Sequence, residues 1–262
     1  MDTAFVIGNG ESRTIFPIEE LKGKGVVWGC NAIYRDHPEL PDHVVAVNPP
    51  MYEELVHAKE NINERSTSRY GKVLCDFKIW GIDDIPEWNY ICDNDHINEL
   101  PKNLKLYRIW RGGDVRKGTM RTIDFTENRG SGASAVLLAA ESGIENVCIL
   151  AFDILGARQW EFTGVREGEL SRQQNNIYKN TNNYPTRLNM KAYLKYEWLF
   201  QLRQIFKKHP DTKFHFFNRR EYIVANHFLR GYFDQPNIKV GTYGDLKRWI
   251  DGERDKIEWF RL

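Results

Sequence analysis

The chain has no apolar run long enough to cross a bilayer, which takes about 20 consecutive residues. It also has no excess of one charge. Its 37 Lys and Arg against 36 Asp and Glu leave a formal charge of +1, so neither nucleic acid nor an acidic membrane draws it from a distance. No signal-peptide pattern opens the sequence, and a cytoplasmic protein without a transmembrane segment is expected. Cysteine is scarce, four in 262 residues. Cys30, Cys75, Cys92 and Cys148 are widely separated and lack metal-ligand spacing, so reduced, buried thiols are expected. Seven histidines show no paired spacing for zinc. Also missing are the Gly-x-Ser-x-Gly nucleophile elbow, the six-position dinucleotide fingerprint and the P-loop lysine. Aromatic residues, in contrast, are plentiful: eight Trp, twelve Tyr and fourteen Phe. They suit stacking on sugars or bases and equally suit a core.

Short β-branched runs recur at 4–7, 26–29, 44–47 and 147–152, with weaker ones at 73–75, 104–109 and 213–217. Helical periodicity occupies 133–142, 187–208, 219–228 and 243–251. Strands alternating with helices predict an α/β, Rossmann-like fold, its mostly parallel sheet covered by helices on both faces. One domain, 1–262, is expected, large enough for a sizeable core. Residues 130–153 form the clearest unit: a small-residue helix, Gly143 as its stop, then a strand. Residues 154–186 are polar and without period, which predicts a lid or small subdomain inserted in that domain. Its aromatics include Trp160, Phe162, Tyr178 and Tyr184.

The first strand ends in Gly8-Asn9-Gly10-Glu11-Ser12. Glycine permits close approach of a ligand to the main chain, and a helix or turn beginning near Ser12 would aim N–H groups at a phosphate. Asparagines follow the next two strands, Asn31 after Cys30 and Asn48 before Pro49. An amide both donates and accepts, so it can read a base edge or a ribose hydroxyl; asparagine also simply tolerates turn geometry. Ligands of open α/β sheets bind at such strand ends. Arg129-Gly130-Ser131-Gly132 opens the small-residue helix as a second anion-friendly place, with Ser131 able to cap or to donate to phosphate. Asp93-Asn94-Asp95 spells a metal-diphosphate motif, although three-residue matches are common by chance. His96 and His227 are the histidines to test as bases.

Taken in order, these positions resemble the bacterial sialyltransferases that use CMP-sialic acid to decorate lipo-oligosaccharide. Their opening Gly-Asn-Gly-Pro-Ser is similar to residues 8–12, and their Cys-Asn after the second strand to Cys30-Asn31. Their Asn-Pro after the third strand is similar to Asn48-Pro49, and their Arg-x-x-Ser-Gly to Arg129–Gly132 with one residue's difference. The strand closing that unit ends in Gly-Ile-Asp there and in Ala151-Phe152-Asp153 here. The resemblance covers roughly 1–50 and 127–155. It implies a glycosyltransferase with a CMP-sugar-like donor as substrate, needing no metal or other cofactor. Gly8, Asn9, Gly10, Ser12, Asn31, Asn48, Ser131 and Gly132 would line the nucleotide, and Arg129, Asp153, Tyr178 and Tyr184 would serve the chemistry. Glu11 stands where the family has proline. Residues 154–208 contain no histidine, whereas the family's base is a late lid histidine, which leaves Asp153, Glu161 or His227 for that task.

The acceptor implied is a glycan, a lipid-linked sugar or a modified nucleobase, and self-association into a homo-oligomer is left open. Two other classes stand beside this one. The first is a magnesium-dependent pyrophosphokinase-like enzyme, drawing on Asp93, Asp95 or Asp153. The second is a non-catalytic nucleotide- or glycan-binding protein.

Overall fold

The computed structural model describes residues 1–37, 39–46, 78–80, 130–153, 192–225 and 227–262. Seven strands among them form one sheet in the order β4-β3-β2-β1-β5-β6-β7. They are β1 (Thr3–Ile7), β2 (Val26–Cys30), β3 (His43–Val45), β4 (Lys78–Trp80), β5 (Asn146–Leu150), β6 (Lys213–Asn218) and β7 (Ile238–Thr242). Every pairing is parallel. The α-helices are α1 (Ser131–Glu141), α2 (Ala192–Lys208), α3 (Arg220–Ala225) and α4 (Tyr243–Ile250).

Side chains that alternate along each strand supply two cores, as a strand period of two requires. Ala4, Val6, Trp28, Cys30, Val147, Ile149, Phe214 and Phe216 face α1, α2 and α3. Phe5, Ile7, Val27, Cys148, Leu150 and Phe217 face α4 and the short turns after β1 and β2. With both faces covered, the expected α/β Rossmann-like architecture is present. Helix α1 runs Ser-Gly-Ala-Ser-Ala-Val, and its small residues let it sit close to the sheet. A Cβ on Gly132 would come within 2.9 Å of the Phe152 ring. The helix stops as expected at Gly143, whose φ of +77° suits the left-handed residue that follows a helix end. Helix α4 is fixed at its start by a capping box between Thr242 and Asp245.

The observed elements depart from the sequence reading in several places. The run 147–152 leaves the sheet at Leu150, because Ala151 takes φ +55° and gives its N–H to the Tyr243 hydroxyl at 3.2 Å. The weak run 213–217 is β6, one strand in from the sheet edge, extended to Asn218. Strands β4 and β7 had no counterpart in the sequence reading. The stretches 73–75 and 104–109 and the insertion 154–186 lie outside the described residues. No helix among the described residues is long and apolar enough to cross a membrane.

Candidate functional site

Strand order reverses direction between β1 and β5: the chain builds leftward from β1 to β4, then rightward from β5 to β7. Such a switch point opens a crevice beyond the strands' C-terminal ends. Register fixes what stands there. Ile7 pairs with both Gly29 and Leu150, so Asn9 and Asn31 each sit two residues beyond the last β1–β2 pair. Asp153 lies three residues beyond Leu150. Leu150 in turn pairs with Phe217, which puts Asn218 at the end of β6. Four neighbouring strands therefore finish in Asn31, Asn9, Asp153 and Asn218.

The turn after β1 is bound to the end of β5. Gly8 N–H donates to the Leu150 carbonyl at 2.8 Å and Gly10 N–H to the Ala151 carbonyl at 3.0 Å. Ser12 is fully buried, within a short 3₁₀ turn that begins at Glu11. Its N–H donates to Asp153 Oδ2 at 2.8 Å and its hydroxyl to Asp153 Oδ1 at 2.6 Å. Neither group is left aimed at a ligand, in contrast to the expectation for a turn starting there. Asn218 Nδ2 adds a third donor to Asp153 Oδ1 at 3.1 Å. Tyr243 donates its hydroxyl to Ser12 Oγ at 2.8 Å. Burial and then the nearby Asp153 charge push that phenol up, so it stays a neutral donor. Gly10 has an ordinary φ of −66°; its lack of a side chain is a matter of space, since a Cβ would lie 2.5 Å from the Asp153 carboxyl.

Beneath the turn lies a buried arginine. Arg13 Nη1 donates to the carbonyls of Gly10 at 3.1 Å and Asn9 at 3.4 Å, and Nη2 pairs with Asp36. A buried charge persists only with such partners, and these tie the turn after β1 to the one after β2. Asn31 starts that second turn at φ +49°, a left-handed conformation that asparagine tolerates better than most. Among the described residues, the amide oxygens of Asn9 and Asn31 are buried without a hydrogen-bond partner. An unpaired buried polar atom costs about 1–3 kcal/mol and calls for a reason.

The start of α1 closes the remaining side. The Cys30 thiol, which burial pushes up to about 12, points at the Ser131 carbonyl at 3.9 Å. Gly130 N–H is held by Gln201 of α2 at 3.0 Å. Gly130, not Ser131, is the N-cap, with no side-chain cap, so the capping expected of Ser131 does not occur. A first helical turn carries N–H groups without intrahelical partners, here beside Asn31.

Of the residues singled out in the sequence, Gly8, Asn9, Gly10, Ser12, Asn31, Ser131, Gly132 and Asp153 converge on this crevice. Arg129, Asn48, Tyr178, Tyr184, Glu161, His96, Asp93 and Asp95 lie outside the described residues, as do the side chains of Glu11 and His227. No group of three His, Cys, Asp or Glu side chains among the described residues is arranged to hold a metal ion. Sequence reasoning missed Arg13, Tyr243 and Asn218. Asn218 carried the same signal as Asn31, a polar residue closing an apolar run, but the other two carried none. Fold and strand order together define a Rossmann-like α/β protein with a crevice at its switch point. Compared with protein-family models, curated proteins and solved structures, the chain matches none.

Proposed function

We propose that the protein is a glycosyltransferase that binds a nucleotide sugar, CMP-sugar-like, in the switch-point crevice and transfers its sugar to an acceptor hydroxyl. The observation that carries this reading is Asn31: it opens the turn after β2 in a left-handed conformation, and its amide oxygen has no partner among the described residues. Strained backbone and an unmatched amide are features that ligand sites retain. On this reading Asn9 and Asn31 turn their amides to the nucleoside, and the first turn of α1 with Ser131 and Arg129 faces the phosphate. The sugar–phosphate bond breaks as the acceptor oxygen attacks, and N–H donors offset the charge left on the phosphate. Tyr178 and Tyr184 steady the leaving group, and a base takes the acceptor's proton. The two described cysteines are free and buried, which supports a reducing, cytoplasmic setting.

The test is a thermal-shift panel of CMP, UDP, GDP, ADP and their sugars, with and without magnesium. CMP or a CMP-sugar raises Tm by mass action. A shift that appears only with magnesium favours the pyrophosphokinase alternative. Saturable binding without transfer or hydrolysis favours a binding protein. No shift with any nucleotide removes the proposal.

A further inference from the structure

We infer that Asp153 reads a hydroxyl of the bound ligand, and that the Gly8–Ser12 turn is a sugar-facing wall rather than a phosphate cradle. The inference rests on the nucleotide reading above and assigns the chemistry of one side of that site. A phosphate-binding turn offers its N–H groups to the ligand, yet three of this turn's N–H groups are already committed. Those of Gly8 and Gly10 go to the carbonyls of Leu150 and Ala151 at the end of β5, and that of Ser12 goes to Asp153. Arg13 is buried and turned to the carbonyls of Asn9 and Gly10 and to Asp36. What the wall presents is a half-buried carboxylate standing over Gly10. A phosphate set against it would meet like charge.

The carboxylate is oriented for one further partner. Among the described residues, Oδ1 accepts from Ser12 Oγ and Asn218 Nδ2, while Oδ2 accepts only from Ser12 N–H. A carboxylate has about four lone-pair sites, so one remains, on Oδ2. Ser12 and Asn218 are both 0 % exposed, and Tyr243 holds Ser12 from behind, so the geometry is fixed before any ligand arrives. A single acceptor site of this kind fits a neutral O–H donor. A sugar ring supplies one from either of two sources, the ribose of the nucleotide or the sugar it carries.

Isothermal titration separates these outcomes. Wild-type protein and Asp153→Ala are titrated with CMP, 2′-deoxy-CMP, 3′-deoxy-CMP, a CMP-sugar and inorganic pyrophosphate. If the ribose is read, one deoxy analogue binds wild type about tenfold more weakly than CMP, and Asp153→Ala erases the difference. If the carried sugar is read, the deoxy analogues match CMP, and the CMP-sugar's advantage over CMP disappears in Asp153→Ala. Pyrophosphate affinity does not fall in the variant. The inference is overturned if Asp153→Ala keeps both margins, or if it weakens pyrophosphate as much as CMP. Should that variant fail to fold, Asn218→Ala takes away one fixing donor, and the margin must shrink there with pyrophosphate unchanged. Absence of binding by every nucleotide in wild type overturns the nucleotide reading and this assignment with it.

Discussion

The hydroxyl of Tyr243 donates to the hydroxyl of Ser12 at 2.8 Å across 231 positions of sequence. It also accepts the N–H of Ala151, so one phenolic oxygen joins the starts of three loops: those after β1, β5 and β7. Beyond Ser12 stands Asp153, which Asn218 approaches from β6. The crevice is thus framed by a continuous hydrogen-bond chain through four sequence-distant segments. It has a shape before a ligand enters.

Tyr243→Phe deletes the centre of that chain while keeping the ring, which stacks near Phe16 at 6.0 Å. Ala151 N–H is then buried without a partner, and Ser12 Oγ loses a donor. The expected loss is about 1–3 kcal/mol, which lowers Tm by roughly 3–10 °C in a chain of this size. Urea denaturation of both proteins measures it. A variant as stable as wild type would show that the chain of hydroxyls is ornamental.

Gly10→Ala and Gly231→Ala separate crowding from glycine content. A Cβ at Gly10 meets the Asp153 carboxyl at 2.5 Å and the Ala151 carbonyl at 2.6 Å, whereas one at Gly231 meets nothing within 4 Å. Gly10→Ala is expected to lose about 1–3 kcal/mol, typical of an overpacked site, along with the nucleotide-induced thermal shift. Gly231→Ala stays within about 0.5 kcal/mol of wild type. Equal effects in the two variants would contradict the close approach at Gly10.

Much of the sheet was legible because buried parallel strands are continuous β-branched or aromatic runs. Residues 4–7 and 26–29 needed no tertiary information. Ile238–Thr242 was not legible: a lysine and a glycine interrupt its five residues, and pairing with Phe214–Asn218 makes it a strand. In the crevice, asparagine after a strand was a readable sign for Asn9 and Asn31. The role of Ser12 was not. A serine following Gly-x-Gly reads as a phosphate donor until Asp153, 141 positions away, is brought against it. Arg13 illustrates the same limit. Arginine is almost always exposed, and the carbonyls of Asn9 and Gly10 with Asp36, all set by tertiary structure, help account for its burial.

His215 predicts an acid limb in the stability curve. It packs against Trp249 at 4.2 Å and Trp259 at 5.2 Å, with Nε2 on Asn146 Oδ1 at 3.3 Å. Burial first, and then the charges of Lys239, Arg254 and Lys213, hold it down to about 3 against an ordinary 6.5. Below pH 6.5 the unfolded chain therefore takes up a proton that the folded protein refuses. The stabilisation is complete above about 6.5 and drains away as pH falls toward about 3, at a slope approaching about 1.4 kcal/mol per unit. Asp2 and Asp234, each lowered to about 2 by its arginine, act in a separate window below their ordinary 3.8. His215→Gln should flatten the upper limb and leave the lower one. A Tm–pH profile of the variant parallel to wild type between pH 6.5 and 4 would refute the assignment.

Asn31→Gly tests the proposed nucleotide site with the least disturbance to the fold. Glycine adopts the φ of +49° found at Asn31 without steric cost, and the substitution also discards the unpaired amide oxygen. In the absence of nucleotide, stability should hold or rise, by up to about 1 kcal/mol. The amide that would contact the nucleoside is gone, so the thermal shift produced by CMP or a CMP-sugar should shrink to that of a protein binding about tenfold more weakly. Arg129→Ala, which removes the cation the proposal assigns to the phosphate, should reduce the same shift. A ligand-free Tm equal to wild type combined with a diminished shift is the signature of a binding residue. An undiminished shift in both variants would move the nucleotide away from the switch-point crevice.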